Sequence, residues 1–178
     1  MAPLRLDHPV RPASDLVVLD ALAALPDDGK ALVPLSRWKS EREGLIAGGF
    51  AGGVWLESGE GPEDWGPTLV ADLAVLPVIG LRFPRFTDGR GYSVARLLRD
   101  RFGYRHELRA LGGIGLDQVT LLARCGIDAV DSEVPLAPLA VSAVLDRLRH
   151  VYQHASDGRS ALWASRAAAS AQVEDGLA

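Results

Sequence analysis

The chain is short of cysteine, lysine and long apolar runs, and each shortage removes a class of protein. One cysteine, Cys125, cannot close an internal disulfide, fill a four-cysteine zinc site or supply the thiolates of an iron–sulfur cluster. No stretch approaches the roughly 18 apolar residues of a membrane span, so no membrane partner is expected. Pro3, Arg5 and Asp7 interrupt the N-terminus before an apolar run of signal-peptide length can form. With a free cysteine, the expected location is the cytoplasm. Lys30 and Lys39 are the only lysines among 19 basic residues. This reads as coding bias, although arginine also suits planar anion binding better than lysine does.

What is present fits one ordinary domain. The 178 residues fall short of the roughly 200 that a closed (β/α) barrel needs. They suffice to bury about 70% of the unfolded chain's surface without metal or disulfide. The formal charge is −4, but it is unevenly placed. Residues 82–109 carry 8 basic and 3 acidic side chains, a local excess of +5, together with five of the eleven aromatics. Nucleic acid is one reading of such a stretch. The acidic remainder, and the burial expected for Phe83 and Phe102, argue against it, so no nucleic-acid partner is expected.

Apolar runs of strand length recur at Ala31–Leu35, Gly53–Leu56, Leu76–Phe83, Glu107–Leu111 and Ile127–Val130. Segments of helical period lie between them. Tyr92–Phe102 places Val94, Leu97, Leu98 and Phe102 on one face, which turns Arg96, Arg99 and Asp100 outward. Leu116–Cys125 sets Leu116, Val119, Leu122 and Ala123 on one face. Gly103 and Gly126 follow these two helices where a C′ residue takes positive φ. Pro62–Leu73 reads as a helix, and Leu136–Ala155 as a long one with a stripe of Leu139, Ala143, Leu148 and Val151. The alternation predicts an α/β fold, a single domain with a mainly parallel sheet of about five strands and covering helices. Pattern leaves open flavodoxin-like winding or a partial barrel. The expected organisation is an irregular lead-in over 1–29, with an edge strand at most at Leu16–Leu19. An α/β domain over 30–155 and an Ala/Ser-rich tail over 156–178 follow, the tail with a short helix at most around Ala161–Ala171.

The stretch Phe83-Pro-Arg-Phe-Thr-Asp-Gly-Arg-Gly-Tyr-Ser93 runs from a strand end through a turn into the clearest helix, which is where parallel α/β proteins place ligands. Gly89 and Gly91 allow close backbone approach, and Arg90 between them offers a forked donor to a sulfur or phosphorus oxyanion. The candidate ligand-binding residues are Arg85, Thr87, Asp88, Gly89, Arg90, Gly91, Tyr92, Ser93 and Arg109. The catalytic candidates are Asp88, Tyr92, Glu107 and Asp117. An Asp-Gly turn is also ordinary punctuation. His150 and His154 share a helix face without a third ligand, so no metal site is predicted. Cys125 reads as a packing residue, His106 as a weak acid–base candidate, and Gly113-x-Gly115 as an incomplete phosphate loop.

Six ordered motifs carry a resemblance: Phe-Thr-Asp-Gly-Arg-Gly-Tyr-Ser at 86–93, Ala-Arg-Leu-Leu-Arg at 95–99, Glu-Leu-Arg-Ala at 107–110, Asp-Gln at 117–118, Arg-Cys-Gly at 124–126 and Tyr-Gln at 152–153. Together they resemble the bacterial domain-of-unknown-function family 934, whose members are described as oxidoreductases of sulfite reduction. The resemblance spans about residues 30–155. It implies a role in sulfate assimilation and cysteine supply, with sulfite reductase or its electron donor as partner. It brings no catalytic residue, and no cofactor is evident in the residues. Where the family carries Gly-Asp-Val before Asp117-Gln118, this chain has Gly112-Gly113-Ile114-Gly115, so an acid of the family is missing here. Three functions remain open: an accessory that docks in the pathway, an enzyme or carrier that binds sulfite or a phosphorylated sulfur intermediate, and an assembly module.

Overall fold

All five predicted strands form, and they form one sheet with three more. In the computed structural model, which describes residues 3–6, 10–147 and 151–164, the sheet has eight strands. They are β1 (Leu4–Arg5), β2 (Arg11–Pro12), β3 (Val17–Val18), β4 (Ala31–Pro34), β5 (Gly53–Leu56), β6 (Val78–Phe83), β7 (Glu107–Gly112) and β8 (Ala129–Ser132). Their order is β2-β1-β8-β7-β6-β5-β4-β3. From β3 to β8 every neighbouring pair is parallel, while β1 is antiparallel to both β8 and β2. The expectation of about five strands is thus corrected to eight, six in one parallel run and two joined to its edge by antiparallel pairing. The added strands are two residues long and come from the lead-in; β3 is the edge strand expected at Leu16–Leu19, while β1 and β2 are too short for any alternation to show in the sequence.

Because β3 to β8 lie in chain order, the sheet is wound in one direction and flavodoxin-like winding is excluded. Crossovers of one hand along such a sheet put the helices on one face. The core shows this division. Ala31, Val33, Val54, Leu56, Ile79, Leu81, Leu108 and Ala110 pack with helix residues such as Trp38, Trp65, Leu69, Leu98, Leu122 and Leu145. Leu32, Trp55, Val78 and Leu111 point to the other face and form a separate cluster with Leu16 of the lead-in.

The lead-in also shows how far the sheet curls. β2 and β3 are its two edges, yet only residues 13–16 join them. Eight flat strands would hold the edges about 34 Å apart at ~4.8 Å per spacing, whereas the chain from Pro12 to Val17 reaches about 18 Å. The sheet therefore bends into a partial barrel, with Leu16 strapped across its inside. Trp55 ties the strap down by donating from Nε1 to the Leu19 carbonyl at 2.9 Å. Gly80 makes room for this interior: a Cβ there would lie 2.8 Å from both Leu111 Cδ1 and Trp55 Cβ.

The helices are α1 (Leu35–Ala47), α2 (Pro62–Asp72), α3 (Arg90–Arg96), α4 (Val119–Arg124) and α5 (Pro138–Arg147). α1 was absent from the sequence reading, because Leu35-Ser-Arg-Trp-Lys-Ser-Glu-Arg-Glu-Gly is largely polar and buries little beyond Leu35, Trp38 and Leu45. α3 continues as a π-helical segment, Leu97–Arg101, closed by the Phe102 N–H on the Leu97 carbonyl at 3.1 Å. The wider turn changes the helical phase. Arg99, predicted to face water, is turned inward and buried. α5 requires a second correction. It packs through Val141 and Leu145, while Leu139 is 86% exposed and Ala143 also faces out. Both pairs have i, i+4 spacing, and only contact with the rest of the fold chooses between them. Nor is the helix continuous to Ala155: Val151 pairs as a lone bridge with Ala161. Leu148 and most of 161–171 lie outside the described residues. Gly103 and Gly126 adopt φ of 65° and 86°, the left-handed conformation expected at those helix ends.

Candidate functional site

The strand C-termini meet at one rim, and the turn singled out in the sequence sits on it. β6 ends at Phe83, and residues 84–89 carry the chain over to α3. The turn is fixed at its base by Asp88. Its Oδ1 and Oδ2 accept from Arg90 Nε and Nη2 at 3.0 and 2.8 Å, and Oδ2 also accepts from Ser58 Oγ at 2.6 Å. Arg90 Nη2 reaches Ser58 Oγ at 3.3 Å, and the Arg90 N–H donates to Oδ1 at 3.3 Å. The Asp88 side chain is 14% exposed and that of Arg90 67%. The hydrogen bonds from Arg90 and Ser58 hold the Asp88 carboxyl far below the ordinary carboxylate range. Asp88 is therefore a fixed anion and a poor proton carrier near neutral pH.

This geometry changes the part assigned to Arg90. Two of its nitrogens are spent on Asp88, and Nη1 lies against the backbone at Gly59. Arg85, Phe86 and Thr87 form the exposed tip, Phe86 being 67% exposed. The Arg85 carbonyl accepts the Asp88 N–H at 3.0 Å, which keeps the tip compact. The two glycines differ. A Cβ on Gly91 would lie 2.7 Å from the Phe83 ring, so glycine there lets α3 sit on β6. Gly89 has φ −87°, and a Cβ would meet only Tyr92 Cδ2 at 3.9 Å. The fold does not require glycine at 89.

Tyr92 stands on α3 with its ring edge-on to Phe83 at 5.1 Å, and its oxygen accepts from Gln118 Nε2 at 3.2 Å. Burial pushes the phenol up from its ordinary value. Gln118 in turn accepts the Gly115 N–H at 2.9 Å. The glycine-rich loop is thus closed on a side chain of its own chain. Asp117 and Ser93 are exposed, and neither makes a side-chain hydrogen bond or ion pair among the described residues. Sequence reasoning missed Ser58 and the pair Glu57–Arg82, 3.5 Å apart, in which Arg82 also lies over the Trp55 ring. The available signal was the polar Glu57-Ser58-Gly59 turn directly after a buried strand, the position that carries chemistry in β/α barrels.

Two candidates stand apart from the rim. Glu107 opens β7 and Asp117 lies beyond its end, so at ~3.3 Å per residue the strand alone separates them by about 16 Å. These two catalytic candidates therefore do not share a site. Arg109 is fully buried on the inner face, donating from Nε to Glu107 Oε1 at 2.8 Å and from Nη2 to Ser14 Oγ at 2.6 Å. Its Nη1 is buried without a hydrogen-bond partner. Asp131 lies on the same face, its carboxyl pushed up by burial and drawn back down by Arg109. Cys125 is buried, and burial pushes its thiol up, against a reactive thiolate. His106 Nε2 lies 3.2 Å from the Ala74 carbonyl oxygen, and His154 packs edge-on to Trp163 at 5.6 Å. His150 lies outside the described residues. Among those residues no three His, Cys, Asp or Glu side chains gather as a metal site would require, and no helix is long and apolar enough to cross a membrane.

Fold and site together define a singly wound α/β partial barrel with an arginine-bearing turn at the C-terminal rim of its parallel strands. The chain belongs to a family described as bacterial protein of unknown function (DUF934), whose model matches residues 53–163. No curated protein and no solved structure matches it.

Proposed function

We propose that this protein is an accessory of assimilatory sulfite reduction, docking through its C-terminal rim onto an acidic surface of sulfite reductase or its electron donor. The observation that carries the docking part is the Asp88–Arg90–Ser58 cluster. It consumes the fork that a small oxyanion would need and makes the turn a braced knuckle bearing exposed Arg85 and Phe86. An exposed aromatic beside arginine is the composition of interface anchors. The pathway part is supported by the motif resemblance.

The test is deletion of the gene in its host, followed by growth on sulfate, sulfite, sulfide or cysteine. The expected result is failure on sulfate and sulfite with rescue by sulfide. Complementation by wild type should succeed, and by the double variant Arg85→Glu, Phe86→Ala should fail. Normal growth of the deletion strain on all four sources would overturn the pathway. Full complementation by the double variant would overturn the docking surface.

A second reading, a small sulfite-binding enzyme or carrier, is favoured by Gly89, whose open surroundings admit a ligand to the backbone. Calorimetry with sulfite separates the two. Binding by wild type that is abolished in Arg90→Ala supports the carrier, and absence of binding removes it.

A further inference from the structure

At the opposite end of the sheet, below the starts of β7 and β8, the chain encloses a cleft of about 420 Å³. Four arginines reach it from separate segments: Arg5 from β1, Arg99 from the π-helical turn, Arg105 from the approach to β7, and Arg159 from the C-terminal segment. Two carboxylates share the wall, Asp128 and Asp157, and both are already engaged. Asp128 Oδ2 accepts from Arg99 Nη2 and from the Leu108 N–H. Asp157 accepts from Arg124 Nη1 at 2.9 Å through both oxygens and pairs with Arg159 Nε at 3.5 Å. Arg5 meets Glu107, a carboxylate it shares with buried Arg109. Asp100 stands beside the cleft, accepting from Ser156 of its wall at 2.9 Å, and is paired with Arg96. Among the described residues the lining thus sets four arginines against two carboxylates, an excess of positive charge.

The floor is built rather than loose. Arg99, 7% exposed, is held by the carbonyls of Gly126, Tyr104 and His106 at 2.7–2.8 Å. Gly126 permits this approach, since a Cβ there would lie 2.8 Å from Arg99 Cγ. Arg105 is different: exposed, it makes no hydrogen bond or ion pair among the described residues, and it has a complete fork to offer. A cleft of this size falls in the ~300–1,000 Å³ range of small-ligand sites and exceeds what a lone oxyanion fills.

We propose that this cleft binds a small ligand bearing a phosphate or sulfate group, with the group gripped by Arg105 alongside Arg5 and Arg159 over the fixed charge of Arg99. Forked donors arriving from different directions suit a tetrahedral oxyanion. The site is separate from the rim turn and does not depend on the docking function.

The test is calorimetry on the full chain at low ionic strength with inorganic phosphate, inorganic sulfate and adenosine 5′-monophosphate, with adenosine as the uncharged control. At least one anion should bind at one site per chain, and adenosine should not. Tighter binding of the nucleotide than of phosphate assigns an ester as ligand, and equal or weaker binding assigns the free ion. Arg105→Ala should weaken binding at least tenfold while leaving the melting temperature of the unliganded protein unchanged. Arg105→Lys should restore only part, and Arg85→Ala at the other end should bind as wild type. Absence of binding by all three anions, or wild-type affinity in Arg105→Ala, would overturn the proposal.

Discussion

Arg90 and Arg99 stand at the two ends of one helix, and each faces an aspartate. Arg90 lies at the rim, two-thirds exposed, bonded to Asp88 and Ser58. Arg99 is buried in the π-helical turn and ties together carbonyls from the segments that enter β7 and β8. In water the first pair adds little to stability, because solvent screens the charges and two long side chains must be ordered. Removal of Arg99 would leave the buried carbonyls of Gly126 and Tyr104 without their donor, so the second arginine is structural. The same pairing of residue types thus serves a working surface in one place and a joint between elements in the other. Depth decides which.

The comparison fails first if Arg99 proves dispensable. Arg99→Ala should cost about 2–4 kcal/mol in urea unfolding, the scale of two buried acceptors left without a donor. Arg99→Lys should recover little, since one ammonium cannot span three carbonyls and a carboxylate. A loss below about 1 kcal/mol would show that water reaches the site.

The glycines that flank Arg90 sharpen the contrast at the rim. Gly91→Ala forces a methyl into the Phe83 ring and should destabilise by about 1–3 kcal/mol, the usual cost of overpacking. Gly89→Ala meets nothing closer than 3.9 Å and should change stability by less than about 0.5 kcal/mol. If Gly89 serves approach by a partner, that variant should still fail to complement the deletion strain. Thermal melts beside the growth assay read both effects.

Arg90→Ala should leave the melting temperature within error of wild type and free the turn at 84–89, detected as faster amide exchange at Phe86 and Thr87. Unchanged exchange would mean that Ser58 alone braces the turn.

The smallest effect concerns pH. The Asp88 carboxyl is depressed in the folded state, so its contribution is present above the unfolded value and is lost only as pH falls through the folded one. The turn should therefore keep its amide exchange pattern as pH falls from 7 through about 4, where an ordinary Asp is already half protonated. An NMR titration that placed the Asp88 inflection near 4 would contradict the ion pair.

Much of the frame was legible in the chain. β4, β5 and most of β6 are continuous apolar runs because both faces of a parallel strand are covered, and such runs survive any change of neighbour. The turn at 86–93 was legible because glycine and aspartate cluster where a strand gives way to a helix. α1 was not, since its polar surface leaves too few apolar positions to set a period. Ser58 was missed because a serine after a strand acquires meaning only when Asp88 is brought to within 2.6 Å from another loop. Arg99 was placed on the wrong face because a π-helical turn changes the angle per residue, and the i+5 bond that creates it leaves no mark in composition.

By itself the sequence determined the alternation of strand and helix, the two helix-ending glycines and the location of the arginine-bearing turn. These depend on local backbone preference and on apolar content, which each segment carries with it. Only the tertiary structure decided the one-way winding, the curl imposed by residues 13–16, the fate of each arginine and the basic cleft. Those depend on the fold bringing residues as distant as Arg5 and Arg159 to one cleft, and the strength of a charge there is set by the burial that the whole fold creates.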